Sequence, residues 1–266
     1  PEAAALIWLG VQYELSTLIS GGTATGKTSM LNVVANFFPP NQRIISIEDT
    51  REIQLPSFLH WVPMLTRQPN PEGRGEISML DLLVNSLRMR PDRIIVGEIR
   101  RKREAEVLFE AMHTGHSVYA TVHANDTEET ITRLTNPPID IPKAMLPAIS
   151  MIVVQYRNRR TGVRRTFQIA EVLPDSEPNV LIQLDLRKDM LQKVAESKAL
   201  LSTIELFTGF TSIELNESLK EKEEILKWLV KNNINTVDTV GRVMAEYYTN
   251  KDNLMGYVRK NRPFLG

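Results

Sequence analysis

The sequence predicts an α/β protein with a largely parallel sheet, an appended β-hairpin region and a C-terminal helical subdomain. Short apolar runs rich in β-branched residues alternate with helical patterns in the first half of the chain, which is typical of a parallel sheet covered on both faces. A glycine-rich loop lies between one such run and a helical segment. From about residue 188 onward only helical periodicity is visible. We therefore expect a core over residues 1–187 and a helical subdomain over residues 188–266.

The glycine-rich loop has the spacing G-x-x-x-x-G-K-[ST], with Lys27 and Thr28 at its end. Glycines allow backbone N–H groups to approach phosphate oxygens, and the following helix directs its N-terminus at the anion. Lys27 is expected to reach the β- and γ-phosphates of a nucleotide, and Thr28 to offer its hydroxyl to Mg²⁺. A strand at 15–20 and a helix at 28–38 flank the loop in the order that a working phosphate cradle requires, which argues against a chance match. The predicted cradle comprises Gly21, Gly22, Thr23, Ala24, Thr25, Gly26, Lys27, Thr28 and Ser29.

The other elements follow from periodicity along the chain. Apolar runs predict further core strands at 43–47, 93–96 and 117–122. Helical spacing predicts helices at 78–88, 102–113, 126–136, 213–230, 237–248 and 251–260. A capping box of Asp126 and Glu129 begins the third of these helices. Two strands, at 149–156 and 166–172, are expected to form the appended hairpin around a turn at Thr161-Gly162.

The composition is that of an ordinary globular protein, since 42% of the 266 residues are apolar and 24% are charged. The 32 Lys and Arg residues balance 32 Asp and Glu residues, so no net charge attracts nucleic acid or an anionic membrane. The absence of cysteine excludes disulfides and Cys-ligated metal sites. No apolar run approaches the ~20 residues that span a bilayer, and no signal peptide is visible. We expect a cytoplasmic protein.

The tip of the predicted hairpin, residues 157–165, holds five arginines. A solvated hairpin tip is one interpretation, and a contact with acidic lipid or a partner protein is the alternative. No aromatic residue lies among these arginines, so base stacking with nucleic acid is not indicated.

Carboxylates follow two of the predicted strands. Glu48, Asp49 and Glu52 come at the end of the strand at 43–47, and Glu98 follows the strand at 93–96. Glu98 fills the Walker B position, although Gly97 stands where an Asp is usual. The carboxyl ends of parallel strands line the ligand crevice of an open α/β sheet, where nucleotide hydrolysis needs carboxylates around water and Mg²⁺. Solvated turns are the alternative interpretation.

Three of the four histidines, His113, His116 and His123, surround the last core strand. Zinc ligation is one interpretation, but a turn at Gly115 interrupts the first pair and no cysteine is present. A histidine just beyond a strand is better suited to sense the terminal phosphate by hydrogen bonding.

These motifs together resemble the type II/type IV secretion ATPase superfamily. Residues 48–52 are similar to its Asp box, residues 87–100 to the Gly-Glu form of its Walker B motif, and residues 114–125 to its His box. The sequence Ile-Glu-Asp-Thr-Arg-Glu is most similar to the archaeal GspE and archaellum-motor branch. The motifs cover residues 21–125 in the family's order and spacing, residues 126–187 are compatible with it, and residues 188–266 resemble the branch only loosely.

The resemblance implies a RecA-like P-loop ATPase core that uses ATP and Mg²⁺. It also implies assembly as a homo-oligomeric ring, usually a hexamer, at the cytoplasmic face of a membrane machine. The implied partner is a membrane platform protein of a secretion or filament machine, with no nucleic acid and no transmembrane segment in this chain.

The same resemblance implies roles for individual residues. Lys27 and Thr28 match the family's phosphate and Mg²⁺ residues, and Glu98 matches the Walker B acid that holds Mg²⁺ through water. Glu52 matches the Asp-box glutamate credited with activating water, with Glu48 as the competing choice. His116 and His123 match the His box, of which His123 is the better placed sensor. We expect both histidines to converge on the sheet edge that carries the acids.

Arginines from a neighbouring subunit or an N-terminal domain often complete the sites of this family. The candidates in this chain are Arg67, Arg74, Arg88, Arg90 and Arg100. The chain begins at Pro1 without an initiator methionine, and we expect a natural N-terminal domain to be missing from it. Because that region contributes to the nucleotide cleft in the family, the chain is expected to bind nucleotide but to hydrolyse it poorly.

The leading functional prediction is an ATP-hydrolysing motor for protein export or pilus-like filament assembly. A RecA-like nucleic-acid motor shares the core, but should present a basic, aromatic-bearing segment to a ring pore. A nucleotide-binding scaffold without turnover is the third hypothesis. A metabolite kinase would not need the His box together with the Asp box.

Overall fold

The computed structural model describes residues 1–264, within which one mixed sheet of nine strands has helices packed on both faces. The strands are β1 (Thr17–Gly21), β2 (Arg43–Glu48), β3 (His60–Leu65), β4 (Arg93–Val96), β5 (Ser117–Val122), β6 (Met151–Arg157), β7 (Arg164–Val172), β8 (Pro178–Asp185) and β9 (Met190–Lys193). The helices are α1 (Glu2–Gln12), α2 (Lys27–Ala35), α3 (Met79–Leu87), α4 (Lys102–His113), α5 (Thr127–Thr135), α6 (Leu200–Thr208), α7 (Ser212–Lys231), α8 (Val237–Thr249) and α9 (Lys251–Arg259), with a short 3₁₀ helix at Lys143–Ala148.

The sheet has the order β3-β2-β4-β5-β1-β6-β7-β8-β9. The pairs from β3 through β6 are parallel, and those from β6 through β9 are antiparallel. The prediction of an α/β fold with a largely parallel sheet and an appended hairpin is therefore confirmed. The carboxyl ends of β1, β2, β4 and β5 meet at one edge of the parallel half, because these strands run in the same direction.

Alternating strand residues feed two separate apolar cores, as the two-residue period of a strand requires. In β2, Ile44 packs with α1 and α2 on one face, whereas Ile45 and Ile47 pack with α3 and α4 on the other. Strands β1, β2, β4 and β5 are buried on both faces, which explains why they appear in the sequence as continuous apolar runs.

The prediction of helices alone after residue 188 is wrong. Strand β9 begins at Met190 and pairs antiparallel with β8, and its four residues are all exposed. A short, solvated edge strand has no buried face and so leaves no apolar pattern to detect. Helix α6 begins only at Leu200.

The C-terminal helices share a core with the first helix rather than forming one of their own. The Trp8 ring of α1 stacks on Phe37 at a centroid distance of 5.4 Å and meets Tyr247 of α8 edge-on at 4.7 Å. Trp8 Nε1 donates to the Tyr248 hydroxyl at 3.0 Å, and that hydroxyl donates to the Phe37 carbonyl at 2.8 Å. These contacts hold the C-terminal helices α6 to α9, which we call the helical part, against the half of the sheet that contains β1 and the glycine-rich loop after it (the P-loop).

Glu171 of β7 joins the sheet to the helical part. Its fully buried carboxylate accepts hydrogen bonds from the backbone N–H groups of Lys198, Ala199 and Leu200, at 2.7 to 3.1 Å, where α6 begins. The side chains of Asn179 and Ser197 donate two more. Burial raises the pKa of Glu171, but these donors outweigh it, and the pKa lies below its ordinary value.

Glu171→Gln is expected to lower the free energy of unfolding at pH 7 by about 2 kcal/mol, because the amide NH₂ would face N–H donors instead of accepting from them. Denaturant unfolding measures the loss, and Glu196→Gln, at a side chain that is 83% exposed, is the matched control. Since the folded-state pKa of Glu171 is lowered, its stabilisation is complete above the ordinary carboxyl pKa of about 4.3 and is lost as pH falls through the folded value. A difference between wild type and variant that did not shrink in acid would contradict this assignment.

Within residues 1–264, no helix has the length and apolar character needed to cross a membrane.

Candidate nucleotide site

The loop between β1 and α2 has the backbone geometry of a phosphate cradle. Gly26 lies in the left-handed region, with φ of 97°, directly before α2 begins at Lys27. A Cβ atom at Gly21 would lie 2.4 Å from Thr25 Oγ1, and one at Gly22 would lie 2.9 Å from Asn125 Oδ1. Only glycine fits at these two positions without displacing neighbours, so the loop stays open to an anion at the N-terminus of α2.

Lys27 lies across this loop. Its Nζ donates to the carbonyls of Gly21 and Gly22, at 2.8 and 2.9 Å. Burial lowers the pKa of Lys27, and the negative charge of Glu98 partly opposes that shift. The ammonium group is thus held at the loop, from which it can exchange two carbonyl oxygens for phosphate oxygens.

Most of the predicted catalytic side chains line one cavity of about 320 Å³ beside the loop. Its lining consists of Thr23, Ala24, Lys27, Thr28, Glu48, Asp49, Thr50, Glu52, Gly97, Glu98, Arg100, Thr121 and His123. We call it the acidic cavity. It lies where the carboxyl ends of β1, β2, β4 and β5 converge, as the sequence predicted for the two acidic groups.

Glu48 and Glu52 differ sharply within the acidic cavity. Glu48 ends β2 and is only 3% exposed, and its Oε1 accepts from the backbone N–H groups of Glu52 and Ile53, both at 2.9 Å. Its Oε2 is buried without a hydrogen-bond partner among the described residues. Glu52 is exposed, and its carboxylate has no hydrogen-bond or ion-pair partner among the described residues. A buried acceptor with no partner is costly, which makes Glu48 Oε2 the oxygen that most needs a water or substrate proton.

Arg100 links the other two acids. Its Nη1 contacts Asp49 Oδ2 at 2.6 Å, and its Nη2 contacts Glu98 Oε2 at 2.8 Å. The hydrogen bond to Glu98 is the main cause that raises the pKa of Arg100. Of the five candidate arginines, Arg100 is the one that lines the acidic cavity.

Of the other arginine candidates, Arg67 lines a neighbouring cavity together with Asp49, Glu98 and Arg100, and the remaining three do not line the acidic cavity. Arg67 donates to the Gly75 carbonyl at 2.6 Å in the connection between β3 and α3, to which Arg74 also belongs. Arg88 and Arg90 precede β4, so they lie at the amino ends of the parallel strands, opposite the P-loop. Of the set, Arg100 therefore lies in the acidic cavity and Arg67 lies beside it.

The two His-box histidines lie at opposite ends of β5. His123 follows the strand, and its Nε2 is 3.0 Å from the hydroxyl of Thr23 in the P-loop. His116 precedes the strand and contacts Thr114 and the Ala111 carbonyl at the end of α4. The expectation that both meet at one sheet edge is wrong, because a strand of six residues separates them.

No group of three or more His, Asp or Glu side chains within residues 1–264 is arranged to hold a metal ion by itself. Thr28 and Glu98 line the same cavity, so the side chains expected at Mg²⁺ are brought together. Mg²⁺ commonly takes one or two protein oxygens and completes its shell with water and phosphate oxygens. Such a donor set fits a metal that arrives with the nucleotide.

Arg164, which no sequence pattern singles out as a site residue, adjoins the loop on the side of the antiparallel strands. Its Nε donates to the Ala24 carbonyl at 2.8 Å. Arg157, Arg159 and Arg160 of the same hairpin line a further cavity with Gly22, Thr23 and His123. The five arginines were the available signal, but placing them required the pairing of β6 beside β1, which local patterns do not encode.

The comparisons with known proteins agree with one another. Residues 5–200 match the family described as Type II/IV secretion system protein. An uncharacterized protein of Methanocaldococcus jannaschii is 38% identical over 255 residues, covering 93% of each chain. A putative conjugal transfer protein of Mycobacterium tuberculosis is 37% identical over 187 residues, which are 68% of this chain and 52% of that protein.

Among solved structures, the chain is similar to the VirB11 ATPase from the Brucella suis type IV secretion system in complex with sulphate. The TM-score is 0.53 at 26% identity, over 62% of this chain. The chain spans 50% of that protein's length.

Proposed function

Because the chain belongs to the Type II/IV secretion system protein family, we propose that it is an ATP-hydrolysing motor subunit of a secretion or filament-assembly machine. The observation that carries the proposal is the acidic cavity, in which a phosphate cradle, a buried unpartnered carboxylate and a second acid lie together. A nucleotide-binding loop alone is compatible with many reactions. The added carboxylates supply what hydrolysis specifically needs.

In the proposed reaction, Lys27 and the N-terminus of α2 hold the β- and γ-phosphates of ATP, and Thr28 contributes to Mg²⁺. Glu98 would help to hold Mg²⁺, which would neutralise negative charge on the phosphates. Glu48 orients and deprotonates the attacking water, and is preferred to Glu52 because its free oxygen is fixed by the hydrogen bonds of its other oxygen. His123, hydrogen-bonded to the loop through Thr23, senses the terminal phosphate.

The charge of the cavity supports a site that is shared between subunits. Four carboxylates face only two cations, Lys27 and Arg100, and Arg100 is already paired with Asp49 and Glu98. Mg²⁺–ATP is itself anionic, so the transition state requires further positive charge. We propose that arginines of a neighbouring copy supply it in a homo-oligomeric ring, as a hexamer. Arg88 and Arg90, which lie away from their own site, are the first candidates.

The proposed setting is the cytoplasmic face of a membrane, where the ring acts on a platform protein of the machine. Two observations support this setting: the VirB11 relative is named as part of a type IV secretion system, and the M. tuberculosis relative is named for conjugal transfer. Turnover of ATP would then change the ring's conformation and drive export or filament assembly.

Phosphate release from Mg²⁺–ATP, measured over a range of protein concentrations alongside the particle mass in solution, tests the proposal. Specific activity is expected to rise with concentration as the ring assembles. Lys27→Ala and Glu98→Gln are each expected to lower phosphate release about 100-fold, because each removes a charged contact to the phosphates or Mg²⁺. Lys231→Ala, at the exposed end of α7, is the matched control.

The outcomes separate the parts of the proposal. Phosphate release that survives both substitutions would overturn the site. Full activity in a monomer would overturn the shared ring. Nucleotide binding without turnover in any assembled state would instead identify a scaffold.

A further inference from the structure

The segment that follows β2, residues 50–55, lines the acidic cavity without belonging to a helix or a strand, and we call it the Glu52 segment. Among residues 1–264, no hydrogen bond between two backbone groups involves it. Ile53 and Leu55 anchor the segment by burying their side chains in the core that also contains α1 and α2. Its polar backbone groups are therefore held by side chains.

Glu48 and Asn32 are the two side chains that hold the Glu52 segment. Glu48 Oε1 accepts from the N–H groups of Glu52 and Ile53. Asn32 of α2 donates from Nδ2 to the Glu52 carbonyl at 3.2 Å, and its Oδ1 accepts from the Gln54 N–H at 2.9 Å. The carbonyl and the N–H that Asn32 binds flank Ile53, so the amide pairs with the segment as a neighbouring strand would.

One peptide group of the segment is held from both sides. The Glu52 carbonyl, which accepts from Asn32, and the Ile53 N–H, which donates to Glu48, belong to the same peptide bond. This bond is planar and trans, so its oxygen and its hydrogen point in opposite directions. Asn32 and Glu48 therefore hold opposite edges of one plane, and a rotation of that plane would break both hydrogen bonds.

A carboxamide is suited to both contacts of Asn32 because it has a donor and an acceptor at its end. Aspartate in its place would have no donor for the Glu52 carbonyl. Asn32 also lies four residues after Thr28, which is one turn further along α2. The helix thus connects the loop expected to hold the phosphates to the segment that holds Glu48.

We propose that Asn32 is a positioning residue for hydrolysis, which sets the direction of Glu48 Oε2 relative to the phosphates by holding the Glu52 segment. The proposal rests on the proposed function, since it assumes that Glu48 acts on the attacking water. It extends that function by giving α2 a second task besides the phosphate contacts at its first residues. A base displaced by about 1 Å lowers the rate of the chemical step without weakening nucleotide binding.

Amide hydrogen exchange tests the positioning without any turnover. In Asn32→Ala, the N–H groups of Glu52 and Ile53 are expected to exchange at least about tenfold faster than in the wild type, because the segment opens more readily. Alanine favours the helix more than asparagine does, so the fold is expected to persist. Asn216→Ala, at an exposed asparagine of α7 whose amide donates only to the Ser212 carbonyl, is the matched control and should leave both exchange rates unchanged.

Single-turnover hydrolysis tests the consequence for the reaction. Asn32→Ala is expected to lower kcat about tenfold and to leave the Kd of Mg²⁺–ATP within about twofold of the wild type. Asn32→Gln, which keeps the amide on a longer side chain, should recover part of the loss. In the Glu48→Gln background the same Asn32→Ala change should cost less than about twofold, because a residue that acts through Glu48 has nothing left to position.

Three results would overturn the inference. Unchanged exchange at Glu52 and Ile53 would show that Asn32 does not hold the segment. An equal loss of kcat with and without Glu48 would show that Asn32 acts independently of it, and a matching loss of Mg²⁺–ATP affinity would place the effect in the P-loop. If Asn32→Ala does not fold, Asn32→Asp, which keeps the acceptor and lacks the donor, is tested with the same expectations.

Failure of the proposed function is a separate outcome. A wild type that hydrolyses no ATP in any assembled state would fail the proposed function. The exchange rates would still decide whether Asn32 holds the segment.

Discussion

Glu48→Gln is expected to lower kcat for ATP hydrolysis about 1,000-fold and to leave the Kd of Mg²⁺–ATP nearly unchanged. The glutamine carbonyl can keep accepting from the N–H groups of Glu52 and Ile53, so the connection after β2 stays in place. The other oxygen, Glu48 Oε2, has no partner among the described residues of the wild type. The substitution replaces it with an NH₂ group that cannot accept a proton from water. Loss of rate without loss of binding is the result expected of a general base.

Glu52→Gln is the matched comparison, since it alters an acid of the same cavity four residues away. We expect its kcat to fall less than about tenfold, because an exposed carboxylate that no hydrogen bond holds positions water poorly. Single-turnover phosphate release and equilibrium binding separate the two effects. If Glu52→Gln proved the slower enzyme, the assignment made from the Asp-box resemblance would be right and the one drawn from burial wrong.

Lys222→Met is expected to raise the free energy of unfolding by about 3 kcal/mol at pH 7 and by only about 1 kcal/mol at pH 9. Lys222 is fully buried in α7, where its Nζ lies 5.4 Å from the Trp8 ring centroid and 5.1 Å from that of Tyr247. It donates to the hydroxyls of Ser218 and Tyr247, at 2.8 and 3.0 Å. Burial lowers the pKa of Lys222 from its ordinary 10.5 to about 7, with Glu221 opposing the shift and Lys251 adding to it.

The direction in which stability changes with pH follows from proton binding to Lys222. Between pH 7 and about 10 the unfolded state binds the proton of Lys222 and the folded state does not, so stability rises with pH in this window. Methionine removes the titrating group, loses about 1 kcal/mol of hydrogen bonding, and keeps a similar apolar volume. Denaturant unfolding at pH 7, 8 and 9 measures the difference, and Lys227→Met, at a 60% exposed lysine of the same helix, is the control. A stability difference that did not vary with pH would show that Lys222 keeps its proton in the folded protein.

Elements with strong local signals could be predicted from the sequence. The buried strands β2, β4 and β5 were identified because both of their faces are apolar, and the P-loop because its glycines have one physical purpose. Strand β3 was missed because it is an edge strand with Pro63 inside it and alternating exposure. Strands β8 and β9 were missed for a related reason, since β8 is only partly buried and β9 is exposed.

One rule about parallel strands predicts most of the residues of the site, and the two exceptions are His116 and Arg164. Parallel strands bring their carboxyl ends together, so Glu48 and Glu98 were expected near Lys27 and do line the same cavity. The same rule, applied to both ends of β5, would have separated His116 from His123. The position of Arg164 at the P-loop depends on which strand lies beside β1, and that strand order is a property of the whole chain.

The two ends of β7 have a mechanical consequence. Arg164 at its start contacts the P-loop, and Glu171 near its end holds the first turn of α6. The seven residue steps between them span about 23 Å, along which β7 pairs with β6 and, from Gln168 onward, also with β8. Strand β7 thus connects the P-loop directly to the C-terminal helices. In the proposed motor, β7 is therefore the route by which we expect a change at the P-loop to reach α6.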